Sequence, residues 1–373
     1  MSKESTGIVI IAAPTMPSTV TSGTQKKVKD TAVPALADLL LNWYSANGRN
    51  LPWRSKKQSA DPYRVWLSEI MLQQTTVAAV EPYYNKFLKI WPDVSSLAGA
   101  DQDDVLKAWA GLGYYSRARN LIRCARTVVN QHAGCFPRSV KELQELPGIG
   151  PYTAAAIAAI AFGEPVAVID GNVGRVVARL FALPRELKKI AGTIRHRVEC
   201  MVPKERAGDF AQAMMDLGAT VCRPRMPKCQ ICPFKKVCEA SILGLQDVFP
   251  ERSELKIKPH RSGTVYVLTS GAEVYLVRRP EGGLLGGMLA FPSSVWRQGQ
   301  EISFENAPIK GRWKRLPGKV NHTFTHFYLS LDVLRLELPE GQTRPNGGWE
   351  AVDQLETVGL PSVMIKVARL AFN

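Results

Sequence analysis

The stretch Leu146-Pro147-Gly148-Ile149-Gly150-Pro151-Tyr152-Thr153-Ala154-Ala155-Ala156-Ile157 decides how this chain folds. Gly148 and Gly150 let the backbone turn sharply and leave N–H groups free. Gly150-Pro151 then opens a helix, because proline suits the first helical position, where its missing N–H is not needed. The alanine-rich run continues to Phe162 and stops at Gly163, with Pro165 two residues later. Small alanines let a neighbouring helix approach closely. The free N–H groups of the turn and the N-terminus of the following helix together make an anion site. Standing alone, Leu146 to Gly150 is equally compatible with a plain interhelical turn.

Helical signals extend in both directions. Asp61-Pro62 is a helix start, an Asp N-cap before a proline, and the helix should run through Trp66, Glu69, Ile70 and Gln73. Asp170-Gly171-Asn172 opens another, from Val173 to Leu180. Helical patterning dominates from about 31 to 245. Residues 246–262, with Pro250, Pro259 and many charges, read as a linker. After it the periodicity becomes two. Thr264 to Thr269 and Glu273 to Arg278 read as a hairpin joined through Ser270-Gly271-Ala272, Phe327 to Leu338 as a further strand, and Ser362 to Phe372 as a last helix. The expected fold class is therefore multidomain: an all-α helix–hairpin–helix domain at 31–245, then a smaller α+β domain at 263–373. Residues 1–30, rich in Ser, Thr, Pro and Lys, are expected to form a disordered tail. No internal repeat is evident.

With 373 residues the chain is long enough for two domains, and its net charge of +15 points to a polyanionic partner. Nucleic acid is the commonest one; an anionic membrane surface is the competitor. The longest apolar stretch, Thr153 to Phe162, is too short to span a bilayer. The apolar run Ile8 to Ala13 follows Glu4 without a basic cluster, so it does not read as a secretory leader.

Four of the seven cysteines cluster as Cys222-x6-Cys229-x2-Cys232-x5-Cys238. Such density argues for a metal centre in a reducing compartment rather than a disulfide framework. The candidates are a [4Fe–4S] cluster and a structural zinc. Zinc ribbons usually present two Cys-x-x-Cys knuckles and only one occurs here, which favours iron–sulfur. Between the outer cysteines stand Arg223, Arg225, Lys228, Lys235 and Lys236 and no acid, a positive rim for phosphates or an offset for anionic thiolates.

Two carboxylates suit cleavage of an N-glycosidic bond, which needs a proton for the leaving base and an anion for the sugar cation. Glu69 shares a helical face with Trp66, Leu72 and Gln73; partial desolvation would raise its proton affinity. From pattern alone, however, it reads as a residue on the solvated edge of an amphipathic helix. Asp170 at a helix start favours its ionised form, although a simple N-cap has the same signature.

Taken together, LPWR at 51–54, SEIMLQQT at 68–75, GLGYYSRARN at 111–120, LPGIGPYTAAAI at 146–157, VIDGNVGRV at 168–176 and the four cysteines resemble the helix–hairpin–helix DNA glycosylase superfamily, specifically adenine DNA glycosylases of the MutY type. The resemblance runs from about 36 to 240 and continues, more weakly, to the C-terminus. It implies a monofunctional glycosylase of base excision repair, removing adenine mispaired with 8-oxoguanine or guanine in double-stranded DNA. It further implies a [4Fe–4S] cluster on Cys222, Cys229, Cys232 and Cys238, and a monomer in the bacterial cytoplasm, associated with the nucleoid. Glu69 matches the acid that protonates adenine at N7, Asp170 the carboxylate at the sugar, and Tyr152 and Asn172 their hydrogen-bond partners. Arg54, Leu72 and Gln212 match the base pocket. Gln74, Thr75, Leu112 and Tyr114 match residues that enter the stack beside the opposing base, and Gly148 and Gly150 the phosphate-holding hairpin. The C-terminal part resembles a Nudix-like domain without the catalytic Nudix helix after Gly287. Its Phe324-Thr325-His326 matches the 8-oxoguanine recognition loop, with threonine where serine is common; read locally, it is a hairpin turn. Two other readings compete: a glycosylase of oxidised pyrimidines that nicks the strand with a lysine, and a non-catalytic damage sensor. Tyr152 stands where that lysine would be, and the retention of Glu69 and Asp170 opposes the sensor.

Overall fold

Asp61 begins the central helix as its sequence suggests. Its carboxylate accepts from the Tyr63 N–H at 2.9 Å, and Pro62 takes the first position of α2 (Pro62–Leu72). The computed structural model describes residues 33–54, 60–251, 257–299, 301–339 and 341–372. The tail expected at 1–30 lies outside the described residues, as do 252–256 of the expected linker. Helix α2 ends one residue sooner than its pattern suggests. Gln73 caps it, and Gln74 turns the chain with a φ of 57°. Eight of its eleven residues are buried, Glu69 among them.

Among the described residues, eleven more α-helices accompany α2 in the helical half. They include α1 (Val33–Asn47), α3 (Val77–Ile90), α4 (Val94–Ala98), α5 (Gln102–Trp109), α6 (Ser116–His132), α7 (Val140–Glu145), α8 (Pro151–Phe162), α9 (Gly171–Leu180), α10 (Ala191–Met201) and α11 (Ala207–Asp216). One core, built on Trp66, Trp109, Tyr84 and Phe87, packs α2, α3, α5, α6 and α8 together. A second packs α1, α9, α10 and α11 around Phe210 and Val177. Each fully buried aromatic removes enough apolar surface to stabilise the fold by roughly 2–3 kcal/mol. The alanines of α8 work as expected. A Cβ on Gly208 would stand 2.7 Å from the Ala159 carbonyl oxygen, so α11 lies almost backbone to backbone on α8. Past α11 the chain widens into one π-helical turn, Leu217–Val221, and a Cβ on Gly218 would stand 2.6 Å from Asn172 Cβ. No helix among the described residues is long and apolar enough to cross a membrane.

The second half carries β1 (His260–Ser270), β2 (Glu273–Arg278), β3 (Leu289–Ala290), β4 (Lys314–Arg315), β5 (Val320–Thr323), β6 (Tyr328–Glu337) and β7 (Gly348–Ala351); the last helix, Ser362–Phe372, contacts β5 and β6. Strands β1 and β2 form the expected antiparallel hairpin, with Ser270 opposite Glu273. Strand β6 pairs parallel to β1, from His260 opposite Tyr328 to Thr269 opposite Glu337. Gly263 to Thr269 is therefore buried on both faces, although its alternation reads as one solvated face. Strands β5 and β6 form a second hairpin whose tip is Phe324 to Phe327, closed by the Phe324 N–H on the Phe327 carbonyl at 2.9 Å.

Candidate active site and nucleic-acid interface

Glu69 does not lie on a solvated edge. It is 6 % exposed, and burial pushes its carboxyl up to about 7. A hydrogen bond from the Tyr152 hydroxyl opposes that rise, the charge of Asp170 adds to it, and the charge of Arg54 opposes it. Burial, then the charges of Glu69 and Asp170, hold the Tyr152 phenol well above its ordinary range, so it stays a donor. Its hydroxyl has a second acceptor in reach, Met215 Sδ at 3.4 Å. Asp170 caps α9, as expected. One carboxylate oxygen accepts from the Val173 N–H at 2.7 Å and the other from Asn172 Nδ2 at 3.0 Å. Arg175 Nη2 donates to Asn172 Oδ1 at 2.7 Å, which fixes the amide's orientation. Residues 69, 152, 170 and 172, brought from three helices, thus form one cluster: a buried acid poised near neutrality beside a carboxylate at a helix N-terminus.

Glu69 helps to line a cleft together with Arg54, Leu72 and Gln212. Sequence reasoning missed what holds Arg54 there. Asp216, on α11, is wholly buried and accepts from Arg54 Nη1 and Nη2 at 2.6 and 2.7 Å. Its carboxylate also accepts from the backbone and side chain of Arg49 at 2.9 and 2.6 Å. Burial alone would raise the Asp216 carboxyl; the Arg54 hydrogen bonds and charge bring it below the usual range. The available signal was a lone acid between Met214, Met215 and Leu217. An apolar flank on both sides marks a charge that must be paired where it is buried.

The turn before α8 needs glycine at one position and not at the other. Gly148 has a φ of +78°, and a Cβ there would meet Asn120 Cβ at 2.6 Å. Gly150 has ordinary backbone geometry, and nothing stands within 4 Å of where its Cβ would be. The fold does not require glycine at 150, so the open space and the N-terminus of α8 suit an approaching anion.

The residues matched to the opposing-base contacts gather just past the C-terminal end of α2. Gln74 and Tyr114 are exposed, each with a left-handed φ, at 57° and 48°. Thr75 is half-buried beside them. Leu112 is 7 % exposed and packs in the helical core. It also lines a cleft of about 1040 Å³ between the helical half and the sheet, together with Tyr114, Phe324, Thr325 and His326. Thr325 and His326 are exposed on the β5–β6 tip, while Phe324 is half-buried and stacks on Phe327 with centroids 4.8 Å apart. The tip is a hairpin turn, as its local pattern suggests, and the Thr325 hydroxyl is hydrogen-bonded to that of Tyr114. Arg278 adds a second link between the halves, through Asp103 at 2.7 Å.

Cys222, Cys229, Cys232 and Cys238 all line a single cavity. Arg179 Nη1 stands 3.3 Å from Cys222 Sγ and also donates to the Arg223 carbonyl at 2.7 Å. Among the described residues no three such side chains converge closely enough to grip one metal ion. Tetrahedral zinc needs four sulfurs about 2.3 Å from one centre. The four thiols nevertheless face one shared space, as the ligands of a single bound metal group would. On the rim, Arg225, Lys228, Lys235 and Lys236 are exposed.

Known proteins share both halves. Residues 67–199 match the family described as HhH-GPD superfamily base excision DNA repair protein, and residues 264–370 match a NUDIX domain. Adenine DNA glycosylase of Homo sapiens is 36 % identical over 405 aligned residues, covering 91 % of this chain and 74 % of that protein. Adenine DNA glycosylase of Buchnera aphidicola (subsp. Acyrthosiphon pisum) is 35 % identical, covering 81 % and 87 %. Among solved structures, a thermostable thymine-DNA glycosylase aligns with a TM-score of 0.52 and 29 % identity, over 57 % of this chain and 98 % of that one. A non-covalent endonuclease III–DNA complex aligns at 0.50 and 20 % identity, over 59 % and 99 %, a likeness of fold. With its helical and Nudix halves in that order and this identity along most of its length, the chain belongs to the adenine DNA glycosylase family.

Proposed function

We propose that this protein hydrolyses the N-glycosidic bond of adenine mispaired with 8-oxoguanine or guanine in duplex DNA. The observation that carries the reading is the buried Glu69, whose carboxyl burial pushes up to about 7, in the wall of the cleft that Arg54, Leu72 and Gln212 also line, with the charge of Asp170 acting on it. A flipped adenine in that cleft takes a proton from Glu69 at N7, which turns a poor leaving group into a good one. The Asp170 carboxylate, oriented by Val173 N–H and Asn172, stabilises the positive charge on the sugar, and water completes hydrolysis. Tyr152 donates to Glu69 and cannot form a Schiff base, so release proceeds without efficient strand cleavage.

The hairpin at 148–150 and the basic rim of the cysteine loop hold phosphates. Gln74, Thr75, Leu112 and Tyr114 probe the stack while Phe324, Thr325 and His326 inspect the purine opposite. Cys222, Cys229, Cys232 and Cys238 would hold a [4Fe–4S] cluster, which supplies a rigid anchor for the DNA-contacting loop. Single-turnover release of adenine opposite 8-oxoguanine, followed with and without alkali, tests the reading. Glu69→Gln and Asp170→Asn should each abolish release while DNA binding persists. Near-normal turnover in either variant, or strand cleavage trapped by borohydride, refutes it.

A further inference from the structure

Among the described residues, Arg117 is a buried arginine, 7 % exposed, met by no carboxylate. Burial lowers its guanidinium to about 10, which leaves it charged at neutral pH. Its charge is met by backbone oxygens from two segments. Nη1 donates to the carbonyls of Ile70, Met71 and Gln73 at 2.9, 2.8 and 2.7 Å. Those carbonyls form the C-terminal end of α2, where the helix dipole is negative and the last C=O groups have no helical partner. Nη2 donates to the carbonyls of Leu112 and Gly113 at 3.1 and 3.2 Å, and to the Thr75 hydroxyl at 3.3 Å. The guanidinium carbon lies 5.7 Å from the centre of the Tyr114 ring.

One rigid plane thus joins two groups of residues with different tasks. On one side is the end of α2, with Glu69 next to Ile70. On the other is the loop that presents Tyr114, whose hydroxyl meets Thr325 of the β5–β6 tip. We propose that Arg117 is a positioning residue that couples inspection of the base opposite the target to the placement of Glu69. This rests on the functional reading above. A displacement of the 112–115 loop pulls the guanidinium as a unit, because its donors are fixed in one fork. The last carbonyls of α2 move with it. A lysine keeps the charge but is a single point of attachment, and it cannot span both segments.

The test is single-turnover adenine release from duplexes with 8-oxoguanine or guanine opposite, for the unaltered protein and Arg117→Lys. The variant should slow release opposite 8-oxoguanine by about 3- to 30-fold, the range expected of coupling carried by one residue. Release opposite guanine should fall severalfold less, so that the preference shrinks. Thr325→Ala should shrink it too, and the double variant should lose little more than either single one. Equal losses opposite both bases, in step with a lower melting temperature, would overturn the proposal, as would additive effects of the two substitutions. Amide exchange in the unaltered protein needs no variant to fold. With a non-hydrolysable adenosine analogue as target, residues 70–75 should exchange severalfold more slowly opposite 8-oxoguanine than opposite guanine; equal rates would overturn the proposal. If the unaltered protein releases no adenine, the functional reading fails, and this inference with it, before any variant is compared.

Discussion

Glu69→Gln should make the protein more stable above neutrality while abolishing base release. Burial raises the Glu69 carboxyl from 4.5 to about 7, so the folded chain binds this proton more tightly than the unfolded one. The stability contributed by the protonated acid is fully present below the unfolded value of 4.5, and it is lost as pH rises through the folded value of about 7. That rise from 4.5 to about 7 corresponds to about 3 kcal/mol, the cost of keeping a charge in that site above neutrality. Glutamine cannot ionise, so the variant should gain most of that amount near pH 8 and almost none near pH 4.5. For a helical half of about 200 residues that unfolds as a unit, the gain corresponds to roughly 6 to 12 °C in melting temperature. Thermal melts of both proteins across this pH range measure it directly. Over the same range, base release by the unaltered protein should fall about tenfold per pH unit above its midpoint, as the acid form is depleted. A melting difference that does not grow with pH would mean that water reaches the carboxyl, and the assignment of Glu69 as the proton donor would lose its physical basis.

Asp216→Ala should cost about 3–5 kcal/mol in denaturant unfolding, because it leaves Arg49 and Arg54 charged and unpaired around a buried site; a loss below about 1 kcal/mol would contradict the pairing. Gly148→Ala should destabilise by about 1–3 kcal/mol through its left-handed φ and the crowding by Asn120. Gly150→Ala should leave stability unchanged yet weaken DNA affinity, seen as a raised Kd in titrations with an abasic-site duplex; unchanged affinity would remove the hairpin from the phosphate contacts. Cys232→Ala should abolish the brown colour and bound iron, and should expose loop 222–238 to limited proteolysis. Stoichiometric zinc in the unaltered protein would reassign the metal.

Local chemistry was readable along the chain. The Asp61-Pro62 start of α2, the glycine turn and proline start of α8, and the Asp170 cap of α9 each involve atoms within three residues of one another, and each stands where the sequence puts it. The hairpin of β1 and β2 belongs with them, since its two-residue turn fixes its register. The four cysteines also announce themselves by spacing, and they do line one cavity.

Burial and long-range pairing were not readable in this way. The pattern of α2 put Glu69 at a wetted edge, because nothing within the helix shows that α8 will cover it. Asp216 meets Arg54 across 162 residues of chain, so neither side chain could be named as the other's partner. The parallel pairing of β1 with β6 buries both faces of a strand whose alternation suggests one. Tyr114 and Thr325 meet across 211 residues. Sequence fixes which side chains are present and how each helix begins and ends, because those interactions close within a turn or two. Which acid is dry, which cation is held and which loops touch depends on contacts between distant segments, and these exist only once the helices and the sheet have packed.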